Sequence, residues 1–178
     1  MSSVWNLHYR RWVIEDGQPD RHVGETFRWF AVEFWSDRLV RASEDTITAV
    51  PIDDYLYRVV AHVTYVDDRS CVVDFGLKAA STRDRLPKDC RAGDFVSGTI
   101  GLELPLCIDV LPEVIDTLGK QWRVDRITAD LTPYISGPDN PRYFFCDSSR
   151  VKVSEVNDTD EVQAPDYILR CAEIKDSE

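Results

Sequence analysis

Apolar and polar residues alternate one by one along most of this chain, and a period of two commits a segment to a strand with one buried face. Val4 to Ile14 puts Trp5, Leu7, Tyr9 and Val13 on one phase. Tyr55 to Val66 sets Tyr55, Tyr57, Val59, Ala61, Val63 and Tyr65 against Arg58, His62 and Thr64. Cys71 to Leu77, Trp122 to Leu131 and Tyr167 to Ile174 read as further strands. Thr26 to Ser36 is apolar on both phases, which marks a central strand covered on two sides. Helical spacing surfaces once: Pro112 opens a segment with Val114, Ile115 and Leu118 on one side and Gly119 as its stop, a short helix near 112–118. The expected fold class is mostly β and antiparallel.

Turn formers place the breaks. Glu15 to Asp20 is dense in them and predicts a hairpin after the first strand. Asp67-Asp68-Arg69 turns the chain after Val66, and a basic, polar loop is expected through Lys78, Arg83, Arg85 and Lys88. Pro133, Gly137-Pro138 and Asn140-Pro141 predict a long irregular loop, followed by a hairpin of Tyr143 to Cys146 with Val151 to Val156. The last four residues are expected to fray. Neither of the two places where a boundary could fall, 42–51 or Gly119, is rich in linker residues. The chain 1–178 is therefore expected to be a single domain, with 55–106 as its barrel-like centre and the strands of 1–50 packed on it.

The run Gly93-Asp94-Phe95-Val96-Ser97-Gly98 carries a turn into a strand with a glycine in its interior, where a side chain would obstruct a bend or a close approach. With the strand, tight turn, strand and loop before it, this stretch resembles the S1-type oligomer-binding barrel over about 50 residues. The resemblance implies a closed five-stranded sheet, so the expectation is an oligomer-binding-like or other small barrel or sandwich. It also implies single-stranded nucleic acid on one face, with Tyr57, Tyr65 and Phe75 as stacking rings and Lys78, Arg83 and Arg85 as phosphate partners.

Charge opposes that ligand. The net charge is −11, from 21 basic and 32 acidic residues. Six of each sign lie up to Arg41, so the whole surplus falls after it, and such a surface repels phosphate backbones while drawing cationic partners inward. The five cysteines (Cys71, Cys90, Cys107, Cys146, Cys171) are odd in number, and no two have fewer than 16 residues between them, so buried free thiols are expected in place of disulfides or a zinc knuckle. The start of the chain lacks the pattern of a signal peptide, and charges interrupt every apolar run. A cytoplasmic protein with no membrane span is expected.

No polar cluster has the spacing of a particular chemistry. His8 and His62 fall on the polar phase of strands and His22 in a turn, and no nucleophile elbow accompanies them. Asn157 to Glu161 alternates oxygen ligands without the glycine and closing glutamate of a calcium loop. Asp53-Asp54 and Asp67-Asp68 are turn formers first, and the glycines of 93–101 lack the Walker lysine. No catalytic residue, metal or cofactor is therefore assigned. Four of the five tryptophans precede Ala42, amid arginines, and these are the side chains that most often anchor interfaces. Trp12 is singled out because its phase is that of His8 and Arg10.

Three functions are weighed. A non-enzymatic interaction protein with a protein partner, such as an acidic antidote to a basic toxin enzyme, ranks first. A single-stranded nucleic-acid-binding barrel ranks second, and a hydrolase or transferase using His62 third. The residues expected to bind are His8, Arg10, Trp12, Tyr57, Tyr65, Arg83 and Arg85.

Overall fold

The computed structural model describes residues 3–108, 112–136 and 144–174. Among them the alternating phases become fourteen strands and two short helices. In chain order these are β1 (Val4–Arg10), α1 (Arg11–Glu15), β2 (Thr26–Trp29), β3 (Glu33–Trp35), β4 (Val40–Arg41), β5 (Thr48–Asp53), β6 (Leu56–Val66), β7 (Ser70–Asp74) and β8 (Lys78–Thr82). They continue as β9 (Phe95–Glu103), α2 (Pro112–Ile115), β10 (Lys120–Asp130), β11 (Tyr134–Ser136), β12 (Phe144–Cys146), β13 (Val153–Val156) and β14 (Asp166–Ile174). No helix among the described residues is long and apolar enough to cross a membrane.

Five strands close into a barrel in the order β6-β7-β8-β3-β9, with β9 returning to pair with β6. All of these pairings are antiparallel except β3 with β8, which meet in parallel at Glu33 and Ala80. Full closure removes the barrel's own free edges. One phase of each strand fills the interior: Tyr57, Val59, Ala61 and Val63 of β6, Val73 of β7, Ala79 of β8, Phe34 of β3, and Val96, Ile100 and Leu102 of β9. Gly98 lies in β9 where a Cβ would come within 2.8 Å of Leu39 Cδ2, so the close approach expected there is real. The expectation of a closed five-stranded sheet holds, but four of its strands come from 55–106 and the fifth, β3, comes from the N-terminal region. The first 50 residues thus share the central sheet.

Beside the barrel, β1, β14 and β10 pair in antiparallel, and β10 takes β2 along one half of its outer edge and β13 along the other. Trp5, Leu7, Tyr9, Trp122, Val124, Ile127, Tyr167 and Leu169 point from this sheet into the same contiguous core that fills the barrel. A single parallel contact, His8 opposite Glu103, joins β1 to the barrel strand β9. A smaller cluster of Ala31, Val72, Ala80 and Leu118, with Val114 and Ile115 against it, covers the outside of β7 and β8.

Several local expectations are corrected. β1 ends at Arg10, and Arg11–Glu15 is a helical turn, because Arg11 ties it to the segment before β14: its guanidinium donates to the carbonyls of Thr159, Val162 and Ala164. Five residues are too few for period alone to tell a turn of helix from strand. No hairpin follows, since β1 pairs with β14 and β2 with β10. Thr26 to Ser36 breaks into β2 and β3, which pair with different strands of one continuous twelve-stranded sheet, β2 with β10 and β3 with the barrel strands β8 and β9. The first part of the expected basic loop is β8, whose Ala79, Ala80 and Ser81 are buried. β12 pairs with β11, and β13 with β10. The dipeptides at 137–138 and 140–141, Tyr143 and the last four residues lie outside the described residues.

Candidate functional site

Because β1 alternates, burying Trp5, Leu7 and Tyr9 obliges Asn6, His8 and Arg10 to point away from the core. On β9 the same rule turns Ser97, Thr99, Gly101 and Glu103 outward, and cross-strand pairing sets Glu103 beside both His8 and Glu33. A second row lies one step along: Asp130 of β10 faces Asp166 of β14, which faces Arg10 of β1. Between these rows, under Tyr55 and the β11–β12 hairpin, is a cleft of about 200 Å3 lined by His8, Arg10, Tyr55, Asp130, Tyr134, Cys146, Asp166 and Ile168.

Its polar groups are tightly organised. His8 is only 6% exposed, its ring stacked on Tyr55 with centroids 4.5 Å apart. His8 Nε2 lies 2.9 Å from Asp166 Oδ1, and the hydroxyl of Tyr134 donates to Asp166 Oδ2 at 2.8 Å. The other ring nitrogen, Nδ1, is buried without a hydrogen-bond partner, 3.9 Å from Glu103 Oε2. Arg10 is drawn off toward Glu103, its Nη2 and Nε donating at 2.8 and 3.1 Å.

Burial alone would raise the carboxyl of Asp166, but the bond from His8, its charge, the Tyr134 hydroxyl and Arg10 together hold it below the usual range, so it stays ionised. Glu33 goes the other way. Burial first, then the neighbouring charge of Glu103, push it up to about 7. Asp54 is likewise raised, by burial and by the charges of Asp53 and Asp130. Asp130 accepts the amide of Thr132, but forms no ion pair among the described residues. Two carboxylates directly opposite on neighbouring strands repel. The cleft therefore sets the carboxylates of Asp130 and Asp166 against Arg10 and His8, with Glu103 holding Arg10 to one side.

The expected binding residues scatter. His8 and Arg10 line the cleft, whereas Trp12 lies on α1, 45% exposed. Tyr57 is 5% exposed, packed on Trp5, with its hydroxyl accepting the Asn6 amide, and Phe75 is buried beside the same indole. Neither ring has a face open for stacking. Tyr65 donates its hydroxyl to Asp67 at 2.6 Å, a bond that holds the Asp67 carboxyl down at about 2. Arg83 clips its own loop by donating to the carbonyls of Pro87, Lys88 and Cys90, and Arg85 donates to Ser36. The larger hollow beside them, about 470 Å3, balances Arg38, Arg83 and Lys88 against Asp67, Asp68 and Asp84. His62 packs on Phe95 and stands opposite Asp74, away from the cleft.

Asp130, Asp166, Glu33 and Glu103 escape sequence reasoning because only strand register brings them to His8, and Tyr55 and Tyr134 because they reach the cleft from the β5–β6 turn and from β11, outside that register. Asp130 and Asp166 do sit at the ends of recognisable strands, which is the one signal they give. All five cysteines are free thiols, with Cys71, Cys90 and Cys171 buried as expected but Cys107 and Cys146 exposed. Among the described residues no group of three or more His, Cys, Asp and Glu side chains is placed to hold a metal ion. No family model, curated protein or solved structure matches the chain.

Proposed function

We propose that the protein is a non-enzymatic interaction module that receives a cationic side chain of a basic protein partner in the cleft between β1, β10 and β14. The observation that carries this reading is the pairing of Asp130 with Asp166 across two strands, with Asp130 lacking an ion pair among the described residues and Arg10 turned away to Glu103. A guanidinium or ammonium entering there relieves a repulsion that the fold itself leaves in place. Tyr55 and Tyr134 supply aromatic walls beside the carboxylates, an arrangement that suits cations. The net charge of −11 adds long-range attraction for a basic partner, and an antidote to a basic toxin enzyme is one concrete form of such a protein. The nucleic-acid alternative has less behind it, since Arg83 and Arg85 are engaged by backbone carbonyls. The third reading, a hydrolase or transferase, gains nothing from the place of His62.

The test is calorimetric titration with an amidated arginine-rich peptide, comparing Asp130→Asn with Asp45→Asn. Both remove one negative charge, but Asp45 is exposed on the β4–β5 connection. Asp130→Asn is expected to weaken binding about tenfold and Asp45→Asn by less than about twofold. Equal losses would mean that the peptide reads only net charge, and the cleft would not be the site.

A further inference from the structure

The outward face of β9 continues past Gly101 into a second surface of opposite character. Cross-strand register places Thr48 of β5, Val60 of β6, Ser97 of β9 and Val40 of β4 in one row, and Val50, Arg58 and Thr99 in the next. Thr48, Val50, Arg58, Val60, Ser97 and Thr99 of these rows wall a hollow of about 310 Å3, completed by Val59 and Gly98. Val40 is 59% and Val50 55% exposed, and Ile47 and Ile52 nearby are exposed as well. On a chain of net charge −11, no acid lines this hollow. Its one formal charge is Arg58, which forms no ion pair among the described residues.

We infer that this face is a docking site for a short extended segment of a partner protein that carries aliphatic side chains and one carboxylate, the carboxylate placed over Arg58. Charge complementarity selects the acid, because Arg58 is a cation set among valines and threonines. The dimensions select an extended segment: four adjacent strands span ~14 Å, the length of about four extended residues. The groove between the two rows offers room for a few side chains. Docking uses the face and not the free edge of β5. Pro51 has no amide proton to offer a new strand, and the register of β5 against β6 slips between Pro51 and Asp53, so the edge cannot template a continuous ladder.

Amide shifts of the full chain, followed by NMR during titration with acetylated, amidated Val-Val-Glu-Val and its Gln and Lys counterparts, test the inference. The Glu peptide is expected to move the amides of Val50, Arg58 and Thr99, and to bind about three- to fivefold tighter than the Gln peptide. The Lys peptide is expected to be the weakest at this face. Arg58→Gln should erase the difference between the Glu and Gln peptides while leaving the melting temperature unchanged, since Arg58 is exposed. Val50→Lys should abolish all three. Equal affinity for the Glu and Gln peptides, shifts confined to Tyr55, Asp130 and Asp166, or a concentration-dependent dimer in sedimentation that Val50→Lys abolishes would each overturn it.

Discussion

One strand, β9, displays two surfaces that differ in almost every respect. Around Glu103 the side chains are acidic, basic and interlocked, with Tyr55 and Tyr134 beside them. Around Ser97 and Thr99 they are open and uncharged, with Ser97 between Val60 and Val40 and Thr99 opposite Arg58, the one charge of that hollow. Gly101 divides the two, and the reason is steric: a Cβ there would come within 2.2 Å of Trp35 Cε2, so only glycine lets the indole lie flat on the strand. Trp35 in turn meets Tyr55 edge-on at 6.1 Å, which braces the wall of the cleft. One outward face of a strand can thus carry a charged site at Glu103 and a largely apolar one at Thr99, four residues apart, provided a ring walls off one from the other.

Removing that partition should have the largest effect. Gly101→Ala must displace the indole, an overpacking expected to cost about 3 kcal/mol in urea unfolding, with a change in tryptophan emission as Trp35 leaves its seat. Next comes His8→Ala, which strips the partner from Asp166 Oδ1 and the stacked ring from Tyr55. Leaving an oxygen of the half-buried Asp166 carboxylate unpaired, it is expected to cost about 2 kcal/mol by the same measurement, without altering the face around Arg58.

Glu33→Gln works through pH. The folded-state value is raised to about 7, so Glu33 contributes most below the unfolded carboxyl range, near 4.5, and that contribution is lost as pH rises toward 7. Above 7 the ionised Glu33 faces Glu103. The glutamine variant should therefore gain about 1–2 kcal/mol over the parent at pH 8 relative to pH 4.5, a figure already reduced for the solvent that reaches this carboxyl. The smallest effect belongs to Asp130→Asn, which removes the repulsion with Asp166 and should stabilise the fold by a few tenths of a kcal/mol even as it weakens a basic ligand. Thermal unfolding at low salt would register the gain.

The sequence made the barrel legible and the cleft only half so. Alternation in 55–66 and the interior glycine of 93–98 announced strands that do close into a barrel, because burial of one phase is a local property. The closing strand β3 is hidden inside an apolar run that splits into two strands pairing in different parts of one sheet, and β8 is hidden because Lys78 and Thr82 flank a buried Ala79-Ala80-Ser81 too small to look like core. His8 and Arg10 could be placed on one outward phase from β1 alone. Their partners could not: Glu103, Asp130 and Asp166 stand 93 to 158 residues away from His8 and Arg10, and a slip of one residue in any of three pairings would turn them to the opposite face. Trp12 left that phase because the chain turned helical one residue after β1.

Amide spectra of the uniformly labelled protein, recorded while an amidated arginine-rich peptide is added, test the cleft most directly. The expected result is saturable movement of Tyr55, Asp130, Tyr134 and Asp166, with Thr48, Arg58 and Thr99 unmoved. Movement of the face around Arg58 with a silent cleft, or uniform small shifts over the whole acidic surface, would contradict it.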